Sequence, residues 1–156
     1  EDRLMVFCRS HDEVEKLGAL LGLQPFTSRT RDTNEETMKA WLAGKQRVMI
    51  STSILGCGLD YPSVRHVLHA GISYNLISQH QAESRGGRDG QPATAITYVP
   101  AHHRPPRNPS GKYGLTELQE WAAEEKRCLR ISRSLYLDGV AVTCSLLPSC
   151  NMCAVC

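Results

Sequence analysis

What the 156 residues lack narrows the reading first. No apolar run is longer than a β-strand, so nothing reads as a membrane span or a secretory signal, and no membrane partner is expected. No G-x-x-x-x-G-K-[ST] loop is present; the nearest string, Ser110-Gly111-Lys112-Tyr113, lacks both a leading glycine at the right distance and a following hydroxyl. An Asp-Glu-x-His sequence is missing too. Without them no residue can cradle the β- and γ-phosphates of a nucleotide or hold magnesium, so this chain alone is not expected to hydrolyse one. The net charge is only +2, which excludes a broad basic field and leaves nucleic-acid contact to local patches. The sequence has no initiating methionine and enters a strand pattern at once, as a piece of a longer polypeptide would.

What is present alternates strand and helix up to about Pro100. Residues 4–8 form a short buried strand, and Ser10 with Glu13 makes a capping box for a helix bearing Val14, Leu17 and Leu21, closed by Gly22. Thr33 and Glu36 repeat that signal before a second helix with Met38, Trp41 and Leu42, ended by Gly44. Strands are predicted near 47–52, 64–69 and 94–99, with a helix from about Ser78 that carries Gln81 and Arg85 on one side. This alternation predicts an α/β fold: a parallel sheet with right-handed crossovers and helices on both faces. The proline- and arginine-rich segment that starts at His102 breaks the pattern and reads as a linker. Beyond it, Thr116 and Gln119 suggest a third capping box. Leu118, Trp121, Ala122, Glu125 and Leu129 trace one helical face, on which Trp121 is core filler unless a nucleic-acid path makes it a stacking platform.

The chemistry concentrates in Gln81-Ala82-Glu83-Ser84-Arg85-Gly86-Gly87-Arg88-Asp89-Gly90. Two guanidinium groups three residues apart, enclosed in glycines, suit phosphate, because arginine offers a charged planar fork and glycine lets the backbone turn closely. This run resembles motif VI of the RecQ family of superfamily-2 helicases, with Ser84 in place of a glycine. Val48 to His69, two β-rich runs around a turn with Gly56, Gly58 and Asp60, is similar to motif V. Leu4 to Ser10 is similar to motif IV. The segment from Phe26 to Thr33 departs from the Tyr-His-Ala-Gly type of sequence that relatives carry there.

The resemblance implies a RecA-like second lobe over 1–101, a linker over 102–114 and a small helical zinc-binding subdomain over 115–156. It implies ATP and Mg2+ shared with a missing first lobe of the same parent chain, and DNA, single-stranded or at a junction, as partner. Arg88 then corresponds to the arginine finger, and Arg85 to a second phosphate contact or a brace for the turn. Gly58 and Asp60 would couple nucleotide to DNA, Gln81 would join motif VI to the nucleotide or the other lobe, and Ser51 and Thr52 would reach DNA phosphates. The compartment implied is nuclear in a eukaryote and otherwise intracellular. Tyr136-Leu137-Asp138-Gly139 ahead of Cys144 is similar to fungal RecQ-like helicases linked to telomeres. Alternatives are an RNA-directed superfamily-2 lobe and a noncatalytic zinc-stabilised module that binds nucleic acid or protein.

Of seven cysteines, five crowd into the last 29 positions: Cys128, Cys144, Cys150, Cys153 and Cys156. In a reducing compartment that pattern favours metal over disulfides. Cys153 and Cys156 have the spacing of a zinc knuckle. The family resemblance supplies Cys128 as the remote ligand, placed on a helix. The fourth ligand is Cys144 or Cys150, with a slight preference for Cys150, which continues the terminal triplet. Zinc would be structural, with four thiolates and no open position. Cys8 and Cys57 read as small core residues.

Overall fold

Met5-Val6-Phe7-Cys8 is apolar without alternation, the pattern of a strand buried on both faces. In the computed structural model, which describes residues 2–53, 60–100, 113–148 and 150–156, it forms the centre of β1 (Arg3–Cys8). β1 pairs in parallel with β2 (Val48–Ser51) on one side and β3 (Val64–Ala70) on the other. β4 (Thr94–Tyr98) lies outside β3, giving the order β2-β1-β3-β4. Because side chains alternate along a strand, β1 feeds two cores. Met5 and Phe7 join Met49, Val67, Trp41 and Ala82; Val6 and Cys8 join Ile50 and Val14. Trp41 belongs to α2 (Arg31–Leu42), Ala82 to α3 (Leu76–Glu83) and Val14 to α1 (His11–Leu21). Helices therefore cover both faces of a four-stranded parallel sheet, the α/β class read from the sequence. Cys8 is buried in the second core, and burial first, with Glu13 second, pushes its thiol up to about 11.

Of the three capping boxes expected, the first forms. Ser10 accepts from the Glu13 amide at 3.2 Å and Glu13 reaches back to the Ser10 amide, so α1 starts as predicted, and Gly22 closes it. The second capping box does not form. α2 begins three residues earlier, with Thr30 rather than Thr33 at its N-cap position, and Thr33 lies inside its first turn with its hydroxyl donating to the Thr30 carbonyl. The preceding loop claims the Thr30 hydroxyl instead: it accepts from the Thr27 amide at 2.9 Å and donates to Asn34 at 2.8 Å. α3 starts at Leu76 rather than Ser78 and ends at Glu83, which leaves Arg85 in the turn beyond it.

A buried arginine closes α2. Arg3 is 4 % exposed; its Nε donates to the Trp41 carbonyl at 2.8 Å and its Nη2 to the Leu42 carbonyl at 3.3 Å, satisfying carbonyls at the helix C-terminus where a cation is favoured. The Tyr61 ring lies against the same pair, 5.5 Å from the Arg3 guanidinium and 4.8 Å from Trp41 between centroids. Tyr61 is thus pinned to the core, and Asp60 is its immediate neighbour.

The described residues divide into two units. One comprises the sheet, with residues up to Ser73 and those from Ser78 to 100. The other comprises Tyr74–Ile77 and the residues from 113 onward. Most of the 102–114 segment read as a linker lies outside the described residues. The second unit buries Leu76, Leu115 and Leu118. Its helices are α4 (Leu115–Ala122) and α5 (Arg130–Asp138), followed by a 3-10 turn at Cys144–Leu146. α4 starts from Gly114 at φ +78°, where an added Cβ would stand 2.8 Å from Leu76 Cβ, so no Thr116 capping box is used.

The single helix expected through Leu129 is two. The Glu124 carboxylate accepts from the amides of Lys126 and Arg127 at 3.0 Å each and from Arg127 Nε at 2.6 Å, drawing the chain off its helical course. Those amide bonds, with the Arg127 bond next, hold the Glu124 carboxyl down to about 2. Cys128 accordingly lies in the connection before α5, not on a helix. Trp121 carries Arg133 over its ring at 4.3 Å, so that face is occupied by a cation.

Trp41 is fully buried at the junction of α2, the sheet and Tyr61. Trp41→Ala should cost about 3–5 kcal/mol in urea unfolding of the sheet unit followed by circular dichroism. Leu20→Ala, at a position 81 % exposed, should change it by less than about 0.5 kcal/mol.

Candidate functional site

Two clusters carry chemistry, one in each unit. In the sheet unit the chain leaves α3 and turns through Ser84 to Gly90, back toward the start of β3. The Gly87 amide donates to the Val64 carbonyl at 3.0 Å, and the Gly90 amide to the Gly87 carbonyl at 3.0 Å. Gly87 has φ +69°, and a Cβ there would meet the Gln91 carbonyl at 2.8 Å, so only glycine fits. Ser84, the departure from the glycine pattern, is not in the left-handed region. Its amide continues the helical hydrogen bonding to His80, and its hydroxyl donates to the Gln81 carbonyl at 2.9 Å. Serine therefore leaves the turn intact.

On the far side of Arg88, Asp89 pairs with Arg65 of β3 through two hydrogen bonds, one of them 2.9 Å, and also accepts from the Gln91 amide at 3.1 Å. The Arg65 bond foremost holds the Asp89 carboxyl down to about 2, against the opposing effect of burial. Arg88 is flanked by two residues tied to β3. Its Nη1 donates to Asp60 at 2.8 Å and its Nε to the Ser84 carbonyl at 3.2 Å. The side chains of Arg88 and Asp60 are 31 % and 80 % exposed. The structure thus brings together two of the residues singled out in the sequence, Arg88 and Asp60, 28 positions apart. Arg85 is buried within the same turn, and Gln81 is exposed on α3. Gly58 lies outside the described residues, as does Cys57. Ser51 is buried, with its hydroxyl donating to the Thr52 carbonyl at 2.8 Å; of that pair only Thr52 is partly exposed.

In the second unit the ligand atoms of Cys128, Cys144, Cys153 and Cys156 all lie within 4.8 Å of one another. The Sγ atoms of Cys128 and Cys144 are 3.5 Å apart, and those of Cys128 and Cys153 3.9 Å. Sulfurs placed tetrahedrally about zinc at about 2.3 Å are separated by about 3.8 Å, so the group fits that ion. Backbone amides already point at the sulfurs: Cys144 to Cys128 and Cys153 to Cys144, each at 3.3 Å, and Leu129 to Cys153 at 3.4 Å. Burial opposes ionisation of Cys153, but the Leu129, Val155 and Cys156 amides outweigh it and draw its pKa down to about 6. Cys144 is lowered too: burial again opposes, and the Cys153 amide and the Arg130 guanidinium prevail. Cys156 is pushed up to about 12 by hydrogen bonding with the Cys128 and Cys153 thiols. Binding of a dication by this group would release the thiol protons. Cys150, slightly preferred from its place in the terminal triplet, stands outside the group; its thiol donates to the Cys144 carbonyl at 3.1 Å. The 3-10 turn at Cys144 buries that sulfur toward Cys128 instead.

The helicase conserved C-terminal domain family matches residues 1–90, more than half the chain. The chain belongs to that family. RecQ-like DNA helicases are among its most similar relatives, and a Dictyostelium discoideum protein described as a probable ATP-dependent RNA helicase, ddx41, also matches, at 24 % identity over 62 % of this chain and 15 % of that protein. It is 34 % identical over 115 residues to the human ATP-dependent DNA helicase Q4, covering 59 % of this chain and 9 % of that protein. It is 24 % identical over 163 residues to the Arabidopsis thaliana ATP-dependent DNA helicase Q-like 2, covering 97 % and 23 %. The chain therefore spans less than a quarter of either relative. Among solved structures, that of the E. coli DEAD-box protein SrmB bound to the regulator RraA matches with a TM-score of 0.57 and 26 % identity, covering 64 % of this chain and 62 % of that one. The sheet unit is accordingly a RecA-like helicase C-terminal lobe, similar to those of RecQ-like DNA helicases.

Within that lobe, sequence reasoning missed Arg65, whose partner is 24 positions away, and Gln79. Gln79 is fully buried under the sheet, accepting from the Ser73 amide at 2.9 Å and donating to Glu83 at 2.7 Å and Thr97 at 2.9 Å. Neither falls in a local pattern, although the polar pair Arg65 and His66 between the buried Val64 and Val67 of β3 was a usable signal.

The Asp89 carboxyl has its pKa depressed in the folded lobe, so its contribution is complete above roughly pH 4 and is lost as pH falls through about 2. Asp89→Asn should remove that acid limb from a pH titration of stability, leaving the neutral fold intact. For the thiol cluster, Cys144→Ser should abolish stoichiometric zinc in reducing, zinc-replete buffer, measured by elemental analysis, and Cys150→Ser should retain one ion per chain.

Proposed function

We propose that this lobe supplies the second half of the ATPase site of a RecQ-like DNA helicase and acts only beside a first lobe that carries the phosphate cradle and the magnesium carboxylates. The observation that carries the reading is the anchored turn at Arg88. Backbone ties at Gly87 and a side-chain tie at Asp89 fix the residues on either side, so the Arg88 guanidinium is held at the surface without ordering a loop at the moment of reaction. Its partner there is an exposed carboxylate, and an exposed ion pair is worth only about 0–1 kcal/mol. A triphosphate carries more charge and accepts the planar fork, so Arg88 can leave Asp60 at little cost. Charge that spreads onto the transferring phosphoryl oxygens would meet a donor already in place.

The other residues take supporting parts. Arg85, buried in the turn, serves as the brace rather than as a second phosphate ligand. Asp60, pinned beside Tyr61, holds the finger before nucleotide arrives and, with Gly58, passes the change to DNA; Gln81 faces the nucleotide or the other lobe. Thr52 offers the hydroxyl contact to a single DNA strand or a junction, and Ser51 shapes the strand end beneath it. The four-thiol group holds structural zinc through Cys128, Cys144, Cys153 and Cys156, which supplies folding energy to the second unit. In a eukaryotic parent the protein works in the nucleus.

In a parent with both lobes, Arg88→Ala should lower DNA-stimulated ATP turnover by about 10³-fold or more with the fold unchanged by circular dichroism, while the 156-residue chain alone should show no turnover. Unchanged turnover in Arg88→Ala would remove the finger role. A parent without a G-x-x-x-x-G-K-[ST] loop would replace the enzyme reading with a noncatalytic binding module.

A further inference from the structure

We infer that Arg130 is a positioning residue of the thiol cluster: its guanidinium orients Cys144 toward the shared centre, compensates the thiolate charge and ties the C-terminal loop to that centre. The inference rests on the zinc reading above. Arg130 is the first residue of α5, two positions after Cys128. Its Nε donates to Cys144 Sγ at 3.2 Å, and its Nη2 donates to the Asn151 carbonyl at 3.5 Å. One planar group therefore spans the three pieces of backbone that supply the ligands: the connection at Cys128, the 3-10 turn at Cys144, and the loop that runs on to Cys153 and Cys156.

The position makes no sense as helix chemistry alone. A cation in the first turn opposes the helix dipole, and α5 has no acidic side chain there to offset it. What stands beside Arg130 instead is a group of sulfurs. Four thiolates around one dication retain a surplus of negative charge, and an uncompensated surplus in a partly buried place is costly. Three backbone amides relieve part of it at Cys128, Cys144 and Cys153, but an amide carries no net charge. Arg130 brings a full positive charge to Cys144, the most buried of the four sulfur-bearing residues, which also accepts the Cys153 amide. The neighbouring Arg133 is engaged differently, stacked over Trp121, so the two arginines of this turn divide between the metal group and the apolar packing. Hydrogen-bonded partners behind metal ligands characteristically change metal affinity by roughly 10–100-fold when removed.

The test uses the whole 156-residue chain loaded with zinc, and in parallel with cobalt as a spectroscopic probe. Metal release to excess chromophoric chelator is followed for wild type, Arg130→Gln, Arg130→Lys and the control Arg133→Gln. Arg130→Gln should release zinc roughly 10–100-fold faster. Its cobalt form should move the sulfur-to-metal charge-transfer band to lower energy, because a sulfur that loses a donated hydrogen bond binds its electrons less tightly. Arg130→Lys keeps the charge but not the fork and should fall between. Arg133→Gln should match wild type in both readouts. If Arg130→Gln does not fold, the lysine variant decides. Release rates and band positions equal to wild type in the folded Arg130 variants would overturn the inference while leaving the zinc reading in place. Failure of the wild-type chain to hold either metal would overturn both.

Discussion

The hydrogen bond from the Gly87 amide to the Val64 carbonyl is the constraint on which the candidate nucleotide-facing turn depends. It hangs the loop from the first residue of β3, at a glycine whose left-handed backbone no other residue could adopt without striking Gln91. One register further, Arg65 of the same strand takes Asp89. The sheet thus sets the turn, and the turn sets Arg88. The same end of the sheet holds Tyr61 between Arg3 and Trp41, which places Asp60 opposite. A surface ion pair that contributes little by itself is in this way assembled from two well-anchored backbones, so a flexible residue type presents a defined direction.

The second unit works by a different economy. Its described apolar core is small, with Leu76, Leu115 and Leu118 buried and Leu135, Val140, Leu146 and Met152 more than half exposed. Four converging thiols, three amides directed at sulfur and one guanidinium take over where apolar burial is thin. Small units that cannot bury enough apolar surface commonly add cross-links or a metal, and the proposed zinc at this group would act in that way.

The fold was most legible where the decisive contacts are short in sequence. Met5 to Cys8 announces a doubly buried strand, and Ser10 with Glu13 starts α1 because each side chain reaches the other's backbone amide. The same pattern at Thr33 and Glu36 misled, since Thr27 and Asn34 claim the Thr30 hydroxyl and move the helix start upstream. Apolar periodicity from Leu118 to Leu129 predicted one helix, but a carboxylate at Glu124 that turns back on its own following amides interrupts it, and periodicity is blind to that. At the site, the arginines and glycines of the turn could be read directly. Their fixation by Val64, Arg65 and Asp60 could not, because those partners come from distant strands and loops. Spacing likewise could not choose between Cys144 and Cys150. The choice is made by the 3-10 turn, which buries one sulfur and leaves the other on a carbonyl.

The central claim is that the turn carrying Arg88 is organised before any nucleotide or first lobe is present. Amide hydrogen exchange of the isolated chain, resolved at Gly87, tests it most directly. The account predicts that the Gly87 amide is protected and exchanges together with the amides of β3. Exchange of Gly87 at the rate of an unstructured chain, while β3 remains protected, would contradict it.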